Sequence, residues 1–292
     1  MQDEVQRFLN FLAVEKSYAE NTIAAYRNDL TQFQQYLAQQ SGDLPQPSWP
    51  QVDRQTIANY ILNLREREYT SSTVARKVAA VKSFFHYLLA KGIIRDDPTT
   101  SLDSPKVKKR LPKAISRSDI ERLLAAPAHD NSAKSQRDHA LLELLYASGM
   151  RVTELVSLNV EDIDLTNGTV RVPGKKAVSK ERVIDISGRA LDAIRTYLNR
   201  GRFHLVRDPE ERALFLNHRG QRLTRQGLWL IIKHYVDKVG IAEDVTPHTL
   251  RHSFAAHKLS QGKSLQDIQR LLGHANISTT QIYQHVSQEA DR

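Results

Sequence analysis

The segment TPHTLRHSFAAHKLSQG, residues 246–262, carries the pattern that decides how the second half of this chain is read. Thr246 is a favoured N-cap residue, and Pro247 suits the first position of a helix because its missing N–H has no helical partner there. The segment therefore predicts a helix that begins just before His248.

Three side chains of this helix, His248, Arg251 and His252, stand at positions i, i+3 and i+4 and would share one face. Two histidines four residues apart could bind zinc, but Arg251 beside them would repel a metal, and the glutamate of an H-E-x-x-H motif is absent. A phosphate fits better, because arginine offers a planar fork of donors and the start of a helix favours an anion. The pattern favours phosphate binding over a metal site.

Two other segments carry residues suited to the same chemistry. LLGHANISTTQIYQHV, residues 271–286, has Gly273 where a helix should end and His274 just beyond it. Ser278 and Gln281 then form a capping-box pattern for a last helix that displays Tyr283.

The third segment, SGMRVTELVSL, covers residues 148–158. It places Arg151 at a helix start after Gly149, with Glu154 one turn further on. A salt bridge between these two side chains would be worth about 0–1 kcal/mol if exposed, and it would also orient the arginine.

The composition points to a polyanionic partner. The 292 residues include 42 Lys and Arg against 33 Asp and Glu, a formal net charge of +9, which favours nucleic acid. The absence of cysteine excludes disulfides, thiolate zinc sites and cysteine nucleophiles. The start lacks the pattern of a signal peptide, and no apolar run approaches the ~18 residues of a membrane span. We expect a cytoplasmic protein with no membrane partner.

The periodicity predicts two domains. Residues 5–94 read as four amphipathic helices, and DDPTTSLDSPKVKKRLPKAIS, residues 96–116, is a proline-containing stretch without periodicity. We predict a helical domain over residues 1–102, a basic linker over 103–115 and a second domain over 116–292. The linker's basic cluster is equally compatible with a solvated linker and with a strap that follows phosphates; it comprises Lys106, Lys108, Lys109 and Arg110.

The second domain is predicted to be α-rich with a small antiparallel sheet. Asn167-Gly168 between alternating segments is a strong hairpin signal. We expect three strands, at about Ile163–Leu165, Thr169–Val172 and Arg182–Ile186. The loop between the last two carries Lys175, Lys176 and Lys180. The fold class is thus mainly α, in two domains, with one three-stranded sheet.

In chain order, Arg151, a hairpin lysine, H-T-L-R-H, L-L-G-H and a tyrosine nine residues after that histidine resemble the tyrosine recombinase (lambda-integrase type, or phage integrase) family. Within it the chain is most similar to the bacterial Xer recombinases of the XerC/XerD type. The resemblance covers nearly the whole chain. It implies that the N-terminal helices form a four-helix SAM-like core-binding domain, which clamps DNA together with the catalytic domain.

The resemblance also implies a role for each site residue. Tyr283 would be the nucleophile that forms a 3′-phosphotyrosyl intermediate and releases a 5′-hydroxyl. The two arginines would hold the non-bridging phosphate oxygens, His248 would help activate the tyrosine or contact the phosphate, and His274 would donate to the transition-state oxygen. The catalytic set is Arg151, Lys175, His248, Arg251, His274 and Tyr283. No metal, nucleotide or other cofactor is implied, because arginines supply the charge and transesterification conserves the bond.

Lys175 matches the family's general-acid lysine, but the loop departs from the usual pattern. Xer proteins read close to G-K-G-x-K-E-R, whereas GKKAVSKER here is longer and lacks the second glycine. Lys176 and Lys180 therefore remain alternatives. A second departure is that nine residues follow Tyr283, where the family commonly has a further helix that couples protomers. This suggests truncation or a different coupling, and we expect a monomer in the absence of DNA.

The implied function is site-specific recombination that resolves chromosome or plasmid dimers. The implied partners are double-stranded DNA with a short site of inverted arms, a homo- or hetero-tetramer on that DNA that can include a second Xer recombinase, and a DNA translocase that activates it. An integrase or resolvase of a phage or mobile element stays open, as do a type IB topoisomerase-like enzyme and a DNA-binding protein whose catalytic site has decayed. Predicted phosphate contacts are Arg76, Lys77, Lys82 and the linker cluster, with steep salt dependence of binding.

Overall fold

The computed structural model describes residues 2–41, 47–100, 102, 114–174, 181–186, 188–274 and 276–287. The chain divides into two compact units, Met1–Lys109 and Arg110–Arg292. Both units are built mainly from helices, and the second contains one three-stranded antiparallel sheet. The predicted fold class is confirmed.

The first unit contains four helices around an aromatic core. They are α1 (Gln2–Val14), α2 (Glu20–Ser41), α3 (Arg54–Glu66) and α4 (Ser71–Ala90). Local capping sets two of the starts: the side chain of Asp53 accepts from the Thr56 amide at 2.8 Å, and Thr70 caps α4. Rings from all four helices meet in edge-on and tilted contacts, for example Phe8 with Phe84 at 5.4 Å and Phe33 with Tyr60 at 4.8 Å between centroids, and Trp49 packs edge-on against Phe84.

The second unit contains nine helices among the described residues. They are α5 (Arg117–Ala125), α6 (Ala133–Ser148), α7 (Val152–Ser157), α8 (Arg189–Thr196), α9 (Arg202–Leu205), α10 (Arg225–Val239), α11 (Pro247–Ser260), α12 (Leu265–Leu272) and α13 (Ser278–Ser287). Helix α6 is apolar on several faces, because it lies at the centre of the core between α8, α11 and the N-terminal helices of this unit. Helix α11 packs against α6, α12 and α13, which brings the C-terminal elements to one place.

The sheet has the order β1-β2-β3, with β1 at Ile163–Asp164, β2 at Thr169–Val172 and β3 at Arg182–Asp185. The predicted strands are present, although the first and last end one residue earlier. Gly168 has φ +64°, the left-handed conformation that the Asn-Gly signal anticipates. In the register, Val170 lies opposite both Ile163 and Ile184. Arg182, the first residue of β3, therefore lies opposite Val172, the last residue of β2.

No helix in the described part of the chain combines the length and hydropathy that crossing a bilayer would require.

Candidate active site

Helix α11 begins as its sequence predicts. Thr246 is the N-cap, its hydroxyl accepts from the Thr249 amide at 3.2 Å, and Pro247 is the first helical residue. The three side chains on the shared face of α11 differ in exposure: His248 is exposed, His252 is half-buried and Arg251 is only 6% exposed. The helix therefore offers one side chain to solvent and directs two inward.

Arg251 forms hydrogen bonds to three residues of the second unit, Gly149, Leu272 and His274. One terminal nitrogen, Nη1, donates to the carbonyl oxygen of Gly149, and the other, Nη2, donates to the Leu272 oxygen at 2.6 Å and to His274 Nε2 at 3.0 Å. Burial lowers the pKa of Arg251 to about 10, and the nearby charge of Arg151 adds to this effect. Because it stays protonated near neutrality, Arg251 places a buried positive charge beside His274.

The tautomer of His274 follows from its partners. A guanidinium can only donate, so Nε2 must accept from Arg251 and the ring proton must lie on Nδ1. Nδ1 is 2.9 Å from the hydroxyl of Thr280, which then accepts this proton. Burial lowers the pKa of His274 to about 4, helped by the charges of Arg251 and Arg151. The imidazole is therefore neutral at neutral pH.

Arg151 is the N-cap residue of α7 and is held by Glu154, as the spacing predicts. Its backbone N–H donates to Glu154 Oε2 at 2.7 Å, and its Nη1 donates to Oε1 at 3.1 Å. Its Nη2 donates to the carbonyl oxygen of Gly273 at 2.9 Å. Burial alone would raise the pKa of Glu154, but hydrogen bonds from Arg182 and from the Arg151 backbone, with the charge of both arginines, lower it to about 2.

Tyr283 lies in the same cluster and is only 2% exposed. Its hydroxyl oxygen is 2.8 Å from His252 Nδ1, and its ring lies parallel to that of His274 with centroids 6.4 Å apart. Burial raises the pKa of Tyr283, while the charges of Arg251 and Arg151 oppose that rise. The tyrosine is thus protonated at neutral pH and lies next to two neutral imidazoles.

The structure adds two residues that the sequence analysis did not assign. His252, rather than the predicted His248, contacts the tyrosine hydroxyl; the His248 ring is 6.3 Å from the His252 ring between centroids. The spacing on α11 could have indicated His252, since it shares the face of Arg251. Arg182, whose Nε donates to the Leu271 oxygen at 3.1 Å, is the last residue of the GKKAVSKER segment, but its role could not be assigned there because its partners are distant in sequence.

Several predicted residues lie outside the described residues, and their roles stay predictions: Lys106, Lys108, Lys109, Arg110, Lys175, Lys176 and Lys180. Among the described residues, no group of three or more His, Cys, Asp and Glu could hold a metal ion.

The predicted phosphate contacts on α4 differ from one another. Lys77 is 1% exposed, and its ammonium donates to Asp29 at 3.0 Å and to Gln32 at 2.6 Å. A buried ammonium needs such partners, so Lys77 is an internal ion-pair residue, and this use of its charge argues against the predicted contact with DNA. Lys82 is partly buried and donates to the Leu102 carbonyl. Arg76 is exposed beside Asp29, and its contact with DNA stays a prediction.

Comparison with known proteins agrees with this geometry. Residues 113–290 match the phage integrase family, and residues 5–92 match the phage integrase N-terminal SAM-like domain. Tyrosine recombinase XerC of Herpetosiphon aurantiacus is 49% identical over 99% of this chain and 92% of its own length. Tyrosine recombinase XerD of Halalkalibacterium halodurans is 43% identical over 98% and 93%.

A solved structure shares the fold. The crystal structure of the XerH site-specific recombinase, bound to palindromic difH substrate in a post-cleavage complex, superimposes with a TM-score of 0.77 at 20% identity, covering 99% of this chain and 82% of that one. The family match and the relatives' identity over nearly the whole chain settle the assignment. The chain belongs to the phage integrase family and is a site-specific tyrosine recombinase of the Xer type.

Proposed function

We propose that Tyr283 is the nucleophile with which this enzyme cuts and rejoins double-stranded DNA. Its hydroxyl oxygen would attack the phosphorus, a phosphotyrosyl bond would form to the 3′ side, and the bond to the 5′ oxygen would break. The tyrosine gives up its hydroxyl proton and the leaving 5′ oxygen gains one, so the number of protons is conserved; the resulting 5′-hydroxyl later attacks a phosphotyrosyl linkage on another strand, which restores the tyrosine hydroxyl. The observation that carries the proposal is that Tyr283 shares one cluster with the anion-binding groups around Arg251.

Arg151 and Arg251 would hold the two non-bridging oxygens of the scissile phosphate by charge-assisted hydrogen bonds. Both guanidinium groups are already fixed by backbone carbonyl oxygens, Arg251 at Leu272 and Arg151 at Gly273. Groups fixed before the reaction stabilise developing charge without reorganising during it. This supports the arginines as the main electrostatic contribution.

The histidines would act at different atoms. A phosphate oxygen that takes over the Arg251 hydrogen bond would release His274 Nε2, and the added negative charge would raise the pKa of His274. The imidazole could then donate to the transition-state oxygen. His252 would orient the tyrosine hydroxyl, and the exposed His248 would contact the phosphate.

Lys175 is proposed as the general acid that protonates the leaving 5′ oxygen, with Lys176 and Lys180 as alternatives. Alanine variants of each lysine distinguish them in cleavage of a substrate whose leaving oxygen is replaced by sulfur, because a thiolate leaves without protonation. We expect this substrate to restore cleavage in Lys175→Ala. If Lys175→Ala cleaves the ordinary substrate normally and Lys180→Ala does not, the assignment moves to Lys180.

In the cell we propose resolution of chromosome or plasmid dimers at a short site with inverted arms. The partners would be DNA, a tetramer of this chain alone or with a second Xer recombinase, and an activating translocase, in the cytoplasm. The domain division would be residues 1–102, 103–115 and 116–292. Support comes from relatives named XerC and XerD that match nearly end to end. Integration or resolution of a mobile element is the alternative within the same chemistry.

The test uses DNA that the protein itself selects. Duplexes enriched from a random library by binding are nicked at their centre, so that a cut strand leaves a short fragment that diffuses away and traps the covalent adduct. The adduct is detected on a denaturing gel for the wild type and for Tyr283→Phe. We expect an adduct that disappears in the variant.

Other outcomes would separate the alternatives. Tight binding without an adduct would indicate a decayed site or a missing second recombinase, and adding a XerC or XerD relative separates these two. An adduct that survives Tyr283→Phe would mean that another residue is the nucleophile. Relaxation of supercoils without sequence preference would indicate a topoisomerase-like enzyme.

A further inference from the structure

The C-terminal end of α12 collects three arginines on three consecutive carbonyl oxygens. Arg182 donates to Leu271 at 3.1 Å, Arg251 to Leu272 at 2.6 Å and Arg151 to Gly273 at 2.9 Å. The last carbonyls of a helix lack helical partners and carry partial negative charge, so they attract cations. The helix end therefore fixes three guanidinium groups side by side.

The three arginines differ in what else they contact. Arg182 directs its fork at Glu154, with Nη1 at 3.0 Å from Oε1 and Nη2 at 2.9 Å from Oε2, and its side chain is 12% exposed. All three of its nitrogens are thus used inside the protein. Arg151 has a single side-chain contact to the same carboxylate, at 3.1 Å, and is 35% exposed. Of Arg182 and Arg151, it is therefore Arg151 that is placed to meet a ligand.

This arrangement decides how much positive charge the site presents. Glu154 is needed to hold the backbone N–H and the guanidinium of Arg151, yet alone it would cancel the charge of that arginine. Arg182 forms a bidentate ion pair with the Glu154 carboxylate and so neutralises its negative charge. Arg151 and Arg251 then keep their charge for a phosphodiester that gains a second negative charge on the way to its five-coordinate transition state.

We propose that Arg182 is a positioning residue that neutralises Glu154, so that Arg151 can orient on Glu154 without losing its charge to it. The proposal rests on the proposed function, because it assigns the charge of Arg151 to the scissile phosphate. It differs from a purely structural role for Arg182, in which the residue only ties β3 to α12. In the structural role, removing the negative charge of Glu154 would not compensate for the loss of Arg182.

A double-mutant cycle separates the two roles. Arg182→Gln removes the positive charge and keeps a donor, whereas Glu154→Gln removes the negative charge and keeps an oxygen for the Arg151 amide. We expect Arg182→Gln to slow adduct formation by roughly 10- to 100-fold, and the double variant to recover at least half of that loss on a logarithmic scale. Arg182→Lys, which keeps charge without the fork, should fall between wild type and Arg182→Gln.

A second measurement does not depend on recombination. Inorganic phosphate is titrated into each variant while the ring resonances of His274 are followed by NMR. Arg182→Gln should bind phosphate about tenfold more weakly, and the double variant should regain affinity. A double variant no better than Arg182→Gln in either measurement overturns the proposal. A wild type that binds phosphate and obeys the cycle but forms no adduct would overturn the proposed function alone.

Discussion

At the scale of single residues, the hydrogen bond between His252 and Tyr283 involves the oxygen that would attack the phosphorus. The histidine could either accept the tyrosine proton or only orient the hydroxyl. The two atoms, Nδ1 and Oη, are 2.8 Å apart. Burial, with the neighbouring His248 and Arg251, lowers the pKa of His252 to about 4. An imidazole with so low a pKa is a poor acceptor for a tyrosine proton. We therefore expect His252 to orient the hydroxyl rather than to deprotonate it.

Substitution of His252 tests this distinction. Asparagine places an amide atom near the position of Nδ1 and can keep the hydrogen bond, whereas leucine cannot. We expect His252→Leu to slow adduct formation on nicked DNA by about tenfold and His252→Asn to stay within about threefold of wild type. If asparagine is as slow as leucine, the ring must accept the proton, and the rate should then follow the ionisation of His252 as pH is varied.

At the scale of elements, the end of α12 depends on Gly273. Its φ of +62° is left-handed, and a Cβ there would lie 3.0 Å from Arg182 Nη1. Because Glu154 and the Leu271 carbonyl hold Arg182, it cannot move aside freely. We expect Gly273→Ala to lower the free energy of unfolding by roughly 1–2 kcal/mol, from the left-handed backbone, and also to slow adduct formation about tenfold.

Gly240, at the end of α10, is the matched control. It has φ +67°, and a Cβ there would meet nothing within 4 Å. Gly240→Ala should lower the unfolding free energy by a similar ~1–2 kcal/mol, measured by urea titration, without slowing adduct formation. Equal rates for the two alanine variants would show that the position of Arg182 does not depend on Gly273.

Helix α4 gives a second comparison between neighbouring residues. Lys77→Ala would leave Asp29, itself buried, without its ammonium partner and should lower the unfolding free energy by about 3 kcal/mol. Arg76→Ala removes the half-exposed second partner of Asp29 while Lys77 still pairs with that carboxylate, and it should cost only about 1 kcal/mol. If Arg76 contacts a phosphate, its loss should reduce the slope of log affinity against log salt by about 1. An unchanged slope would remove Arg76 from the DNA contacts.

How much of each element the sequence predicts depends on whether its signals are local. The Thr246 cap, the left-handed Gly168 and the end of α12 at Gly273 follow from neighbouring residues, and all are present. The Ser278 capping box is not how α13 starts: Ser278 is already helical, and its N–H donates to the Asn276 side chain at 3.0 Å. Two polar residues as close as Asn276 and Ser278, two positions apart, cannot be ranked as helix caps from spacing alone.

At the scale of the whole molecule, charge counts predict a partner class but not which charges are available to it. The net charge of +9 includes Lys77 and Arg182, which are used against Asp29 and Glu154 inside the two units. Those pairings join segments far apart in the chain, 48 residues in one case and 28 in the other. The order of side chains along the sequence therefore predicts which residues belong to the candidate site, while the internal pairing of charged residues can be read only from the fold.

The two half-buried histidines of the site also give the fold a defined response to pH. His252 and His274 have pKa values of about 4 in the folded chain against an ordinary value of 6.5, so the unfolded chain binds more protons between these pH values. The stability that they contribute is fully present above about pH 6.5 and is lost as pH falls toward 4. Glu154, with a pKa lowered to about 2 from 4.5, extends the loss below pH 4.5.

We therefore expect urea unfolding to show a steady loss of stability from pH 7 to pH 4.5. His274→Asn should reduce the slope of the unfolding free energy against pH by the part that one histidine contributes. Inorganic phosphate should restore part of the loss, because an anion between the arginines favours the charged imidazole that acid produces. A slope that is unchanged in His274→Asn would mean that this ring is protonated in the folded protein well above pH 4, which contradicts its donor–acceptor arrangement with Arg251.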